Sequence, residues 1–93
     1  MVRKYIPKQG DIVFLDFNPT NGHDKPAVII SNNIFNENTK MVIVCPITSN
    51  NKEFPTHYLL EDTKNIHGSV LCEHIRSIDY EMRNLKFVET LSN

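Results

Sequence analysis

The sequence predicts a mainly β domain, a small barrel or sandwich. Three observations carry that expectation. The apolar residues fall in short runs, at 12–17, 27–30 and 41–47, rich in β-branched and aromatic side chains, the kind that pack on a pleated surface. Turn-forming residues punctuate them: Pro19, Asn32-Asn33 and Ser49-Asn50-Asn51. The chain has only 93 residues, which suits one domain spanning 1–93. Such a chain buries about 60–65% of its unfolded surface, so assembly with a second copy is expected to help it.

Each element follows in order. Residues 12–17 form a strand that Pro19 stops, because proline donates no ladder hydrogen bond. Residues 27–30 are a continuous apolar strand. Residues 34–37 form a helical turn after the polar Asn32-Asn33. Residues 41–47 form the next strand, and Pro46 turns its end into an edge or bulge. Residues 56–60 and 69–72 are shorter strands. For 74–78 the pattern leaves strand and short helical turn both open. Residues 83–89 alternate less cleanly. At Glu89-Thr90-Leu91-Ser92-Asn93 the sequence stops where a capped helix would begin. Several short strands at about this spacing argue for a small barrel or sandwich, and closing a barrel also removes exposed strand edges.

The composition, 40% hydrophobic and 23% charged, is that of an ordinary soluble protein. No apolar run approaches the ~20 residues that span a bilayer. The basic start at 1–5 is followed by no apolar signal region, so neither membrane nor export is expected. Cys45 and Cys72 lack CxxC spacing and read as buried reduced thiols, consistent with the cytoplasm. Cys72 and His74, as alternate strand residues, share a face. A metal there needs a further ligand, and none is evident, so no metal and no cofactor is expected. The net charge of −1 and pI near 6.4 do not announce nucleic-acid binding. They are compatible with a local basic groove drawn from Lys4, Lys8, Lys25, Lys52, Arg76, Arg83 and Lys86.

No Walker loop, dinucleotide fingerprint, zinc spacing or nucleophile elbow occurs. The candidate chemistry lies at strand ends. Thr48-Ser49-Asn50-Asn51-Lys52 follows one strand, and Gly22-His23-Asp24-Lys25 precedes another. If those strands pair, the Lys25 ammonium and the Thr48 hydroxyl lie together and can hold a phosphate by charge and directed hydrogen bonds. The alternative is two plain polar loops. His23, His57 and His67 fall in or near turns and read as solvated.

Several fragments, in order, resemble the MazF/PemK family of toxins. They are Gly10-Asp11 with its strand, Asp16-Phe17-Asn18-Pro19 with Gly22, and Pro26-Ala27-Val28-Ile29-Ile30-Ser31. Then come Pro46-Ile47-Thr48-Ser49, Pro55, and Gly68-Ser69-Val70 running into Glu73-His74-Ile75-Arg76-Ser77-Ile78-Asp79. The resemblance implies a mainly β fold: a small SH3-like bent β-barrel, homodimeric, with one or two short helical turns. The family's C-terminal helix is absent beyond Ser92. The implied function is that of the toxin of a toxin–antitoxin pair, a metal-independent endoribonuclease that cuts single-stranded mRNA at short recognition sequences. The 2′-hydroxyl attacks the adjacent phosphate and leaves a 2′,3′-cyclic phosphate. The implied partner besides RNA is a cognate antitoxin that fills the RNA groove.

Carried onto this chain, the resemblance makes Lys25 and Thr48 catalytic, and makes Phe17, Asn18, Ser49, His74 and Arg76 RNA-binding. Three departures stand out. Lys25 replaces the family's Arg, exchanging a planar fork for a point charge. The segment before it is short and lacks the family's Glu-Gln pair, for which Asp24 or His23 would have to stand in. His74 replaces a Gln. These departures keep open a relative that binds RNA or antitoxin without cutting. A gyrase poison of the CcdB type shares the barrel, but it needs a Trp near a C-terminal helix, and this chain has no Trp.

Overall fold

The computed structural model describes residues 5–17, 24–49, 56–61 and 63–91. Among the described residues, seven strands and two short helices follow one another: β1 Asp11–Asp16, β2 Asp24–Ile29, α1 Asn33–Thr39, β3 Met41–Thr48, β4 His57–Leu59, β5 Ser69–Leu71, a 3₁₀ turn Cys72–His74, β6 Arg76–Asp79 and β7 Lys86–Thr90. The strands form one antiparallel sheet in the order β4-β5-β3-β2-β1-β7, with β6 also on β3. Among the described residues no helix is long and apolar enough to cross a membrane.

The sheet is buried on both faces, which is why its strands read as continuous apolar runs rather than clean alternations. Val13, Leu15, Ala27, Ile29, Val42 and Val44 project to one side, where Ile78 and Tyr80 complete the cluster. Ile12, Val28, Cys45 and Ile47 project to the other, against Leu60 and Val70, with Ile66, Val88 and Leu91 at the margin. The odd and even residues of each strand thus serve two cores, as a period of two requires.

β3 is the hub. On one side it pairs with β2; on the other it pairs first with β6 through residues 41–44 and then with β5 through Ile47 and Thr48. Pro46 falls at the hand-over, where neither β6 nor β5 faces it, so its missing N–H deprives no partner there. The edge-or-bulge reading of Pro46 is corrected accordingly: the residue lies in a central strand at a change of partner.

The helical turn expected at 34–37 is α1. Asn32 caps it, accepting from the Phe35 N–H at 2.9 Å. Lys40 ends it in the left-handed conformation, φ 59°, its N–H reaching the Asn36 carbonyl. Asn36 is fully buried and donates to the Pro7 carbonyl at 2.7 Å and the Ser31 carbonyl at 3.2 Å. The undecided stretch 74–78 is both things in turn, the end of the 3₁₀ turn and then β6. The last strand begins later than expected, because Arg83 and Asn84 lie in the preceding turn, where Asn84 has φ 54°.

Asp11 is fully buried and satisfied on both oxygens. Its Oδ1 accepts from Thr90 Oγ1 at 2.8 Å; its Oδ2 accepts from the Lys8 N–H at 3.1 Å and from the Tyr5 hydroxyl. Burial, then the Asp11 carboxylate itself, pushes the Tyr5 phenol well above its ordinary range. One carboxylate therefore joins the N-terminal segment, β1 and β7.

Cys45 is buried as expected, and burial raises its thiol pKa, with Cys72 adding to the shift. Cys72 is exposed, contrary to expectation, because the chain leaves β5 for the 3₁₀ turn at that residue. Cys72 and His74 thus sit on a helical turn and not at alternate strand positions.

Candidate active site

The β2–β3 ladder ends at Ala27↔Pro46. To continue, it would have to pair Pro26, which has no N–H to give. The strands part there and a groove of about 770 Å³ opens between them. Its floor includes Phe14, Pro26 and Ile47, and Phe14 and Pro26 are opposite one another on β1 and β2. Pro26 thus stands where the ladder stops and the groove begins, with Pro46 also in its lining.

The groove collects the expected site residues. Lys25 and Thr48 line its flanks, joined by Phe17, Ser49, His74 and Arg76. Extended two residues past its last pair, the β2–β3 register sets Lys25 level with Thr48. Asn18 lies outside the described residues, as does His23 of the preceding segment.

Lys25 lies in a strand and not in the loop that the sequence suggests. β2 begins at Asp24, and Lys25 pairs with Leu15 of β1. Side-chain contacts hold this strand start. The Asp16 and Asp24 carboxyls, opposite one another, share a hydrogen bond that pushes Asp16 above the usual carboxylate range and Asp24 below it. Lys86 donates to Asp24 Oδ2 at 3.3 Å. Arg83 Nη1 donates to the Phe17 carbonyl at 2.8 Å, and the Arg83 carbonyl accepts from the Asp16 N–H at 2.8 Å. Phe17 is thereby fixed, and the Arg76 guanidinium stacks over its ring at 5.1 Å, a cation–π contact.

Thr48 is set by its neighbour on β5. It pairs with Ser69, and Gly68 runs against its backbone: a Cβ on Gly68 would stand 2.0 Å from the Thr48 carbonyl oxygen, and φ there is +142°. Only glycine fits both constraints.

His74 is carried by the 3₁₀ turn, which a side-chain clamp ties to β4. Glu73 accepts from Thr56 Oγ1 at 2.9 Å and lies 3.0 Å from His57 Nε2. The Glu73 carboxyl is held low by its own backbone N–H first, then by Thr56 and His57. His57 is thus on a strand and engaged, its side chain 17% exposed, rather than solvated in a turn.

The far wall was not anticipated. Asn65, Ile66 and His67, in the β4–β5 connection, line the groove with Leu71. Glu89 of β7 holds that connection, accepting from the N–H groups of Lys64, Asn65 and Ile66 at 2.9, 2.8 and 3.0 Å. The Lys64 N–H, followed by the other two and the nearby His67, draws the Glu89 carboxyl below its usual range, as multiple backbone donors do. The one signal in the sequence was Gly68, which marks a forced approach just after His67.

Residues 8–93 match the family model for the PemK-like, MazF-like toxin of type II toxin–antitoxin systems. The chain belongs to this family. It is 32% identical over 87 residues to the endoribonuclease toxin MazF of Escherichia coli strain K12, covering 89% of this chain and 78% of that one. It is 32% identical over 98 residues to the endoribonuclease toxin ChpB of the same strain, covering 92% and 81%. A chain in the MazE–MazF crystal structure from Deinococcus radiodurans superposes with a TM-score of 0.86 at 30% identity, over 96% of this chain and 83% of that one. The mainly β, antiparallel architecture is thus the family's fold.

Proposed function

We propose that this chain is the toxin of a toxin–antitoxin pair and an endoribonuclease that cleaves single-stranded mRNA in the groove between β2 and β3. The observation that carries the reading is the convergence of Lys25 and Thr48 where the β2–β3 ladder stops, in a groove that also holds Arg76 stacked on Phe17. A cation and a hydroxyl suit a phosphodiester; an aromatic ring and a guanidinium suit an unstacked base.

In this reading the 2′-oxygen attacks the adjacent phosphorus and gives up its proton, the P–O5′ bond breaks, and O5′ takes a proton. The products are a 2′,3′-cyclic phosphate and a 5′-hydroxyl. Lys25 stabilises the charge that builds on the phosphoryl oxygens, and the Thr48 hydroxyl hydrogen-bonds one of them. Phe17, Asn18, Ser49, His74 and Arg76 hold the flanking nucleotides. The whole of 1–93 acts as one toxin domain in the cytoplasm, as a homodimer, until a cognate antitoxin occupies the groove. The MazE–MazF complex formed by a structural neighbour supports such a pairing.

The test is incubation with a long defined RNA in EDTA, followed by primer extension. Distinct stops are expected from the native protein, and Thr48→Ala is expected to lower the cleavage rate by about 10²-fold, the usual cost of one transition-state donor. Intact RNA with native protein, or cuts unaffected by Thr48→Ala, would overturn the proposal.

A further inference from the structure

We infer that Glu89 closes the barrel and, by doing so, positions the Asn65–His67 wall of the groove as a determinant of RNA recognition; the recognition half of this inference rests on the function proposed above. The ladder order runs from β4 at one end to β7 at the other, and among the described residues no ladder joins those ends. The Glu89 carboxylate makes the joint instead. Three consecutive backbone N–H groups of the β4–β5 connection converge on it from 23 to 25 residues away.

Two independent features support the assignment. The β1–β7 register shifts between Ile12↔Glu89 and Val13↔Phe87, so Val88 is an extra residue on β7. Such a bulge re-aims the side chains beside it. It turns Val88 into the inner cluster with Ile66 and Leu91 and leaves Glu89 facing the connection. The other feature is charge. A bare carboxylate beside an RNA groove would repel phosphate; here its oxygens are turned onto three backbone N–H donors of the groove wall, which solvate it and hold it ionised. Glu89 touches no substrate in this scheme; it is a positioning residue.

Glu89→Gln keeps size and shape but replaces one acceptor oxygen by a donor, so the three bonds cannot all survive. Glu37→Gln, on the exposed face of α1, is the control for loss of a negative charge. The amides of Lys64, Asn65 and Ile66 are followed by hydrogen exchange, and RNA is followed both by cleavage kinetics and by binding of an oligonucleotide lacking the 2′-hydroxyl at the cut site. For Glu89→Gln, exchange at those amides is expected to accelerate at least about tenfold, the scale of losing a charge-assisted hydrogen bond. KM and the oligonucleotide Kd are expected to rise by a similar factor, with kcat within about threefold and discrimination among cut sites reduced. Glu37→Gln is expected to match the native protein. Unchanged exchange overturns the latch. Faster exchange with unchanged KM, Kd and site preference overturns its part in recognition. Native protein that neither cuts nor binds RNA overturns the functional reading alone, and the exchange data then still decide the latch.

Discussion

Lys25 lines the groove with an ammonium where the family resemblance implies a guanidinium, and in the proposed mechanism this is the difference that bears most directly on activity. A guanidinium grips two phosphate oxygens at once; an ammonium offers charge without that fork. Lys25→Arg is therefore expected to retain or raise kcat, and Lys25→Ala to lower it by about 10²-fold; equal rates for all three proteins would remove Lys25 from the mechanism. In the same proposal Arg76 acts differently: its guanidinium lies over Phe17 and contacts one phosphate or base. Arg76→Gln is expected to weaken RNA binding and to flatten the plot of log K against log salt by about 0.7, one phosphate's worth for a single strand. Titration of binding across salt concentrations measures that slope. Lys25 and Thr48 were legible as polar residues at strand ends, and Arg76 and Phe17 only through the family resemblance. His67 and Asn65 were not, since nothing local distinguishes a groove residue from a solvated turn.

At the scale of elements, the site is made by interruptions of regular pairing. Pro26 ends the β2–β3 ladder, Pro46 sits where β3 changes partners, and Gly68 lets β5 press against Thr48. Gly68→Ala would drive a methyl group into the Thr48 carbonyl in a backbone region that alanine avoids. It is expected to cost about 1–3 kcal/mol of stability and to cut activity by more than the stability loss explains, because Thr48 itself must move. Urea unfolding beside cleavage rates tests both parts; full activity with unchanged stability would mean that the close approach does not matter. From sequence Pro46 reads as an edge or bulge, because proline is confined to such places when a partner needs its N–H. The rule failed only in that β3 has different neighbours along its length, a fact of topology. Likewise β2 starts three residues before the apolar run that announced it, since Asp24 and Lys25 are held by β1, Lys86 and the Asp16 carboxyl rather than by burial.

For the molecule as a whole, carboxylates tie distant parts of the chain together. Asp11 joins the N-terminal segment to β7, Glu73 joins β4 to the 3₁₀ turn, and Glu89 joins β7 to the β4–β5 connection. Glu89 and Glu73 are both shifted below their ordinary values. The stability they contribute is therefore fully present above the ordinary Glu value of about 4.3 and is lost as the pH falls through their lower folded values. Asp16 is shifted upward and contributes in the opposite sense, losing stability as the pH rises through its folded value. Urea midpoints between about pH 3 and 7 are expected to fall on the acid side in the native protein and to fall less steeply in Glu89→Gln. Parallel acid limbs would show that Glu89 is not linked to folding.

The sequence by itself determined the β class and the strand positions to within a few residues, and its resemblance to a family supplied one flank of the groove, Phe17, Lys25, Thr48, Ser49, His74 and Arg76. Apolar runs, prolines and glycines express local backbone physics, and that physics is read directly from residue order. Only the tertiary structure decided that both faces of the sheet are buried, that Cys72 is outside and His57 engaged, and that a glutamate near the end of the chain joins the two ends of the sheet. Each of these depends on which distant segment arrives beside a residue. Partners 16 to 79 residues apart leave no periodicity for a local pattern to carry.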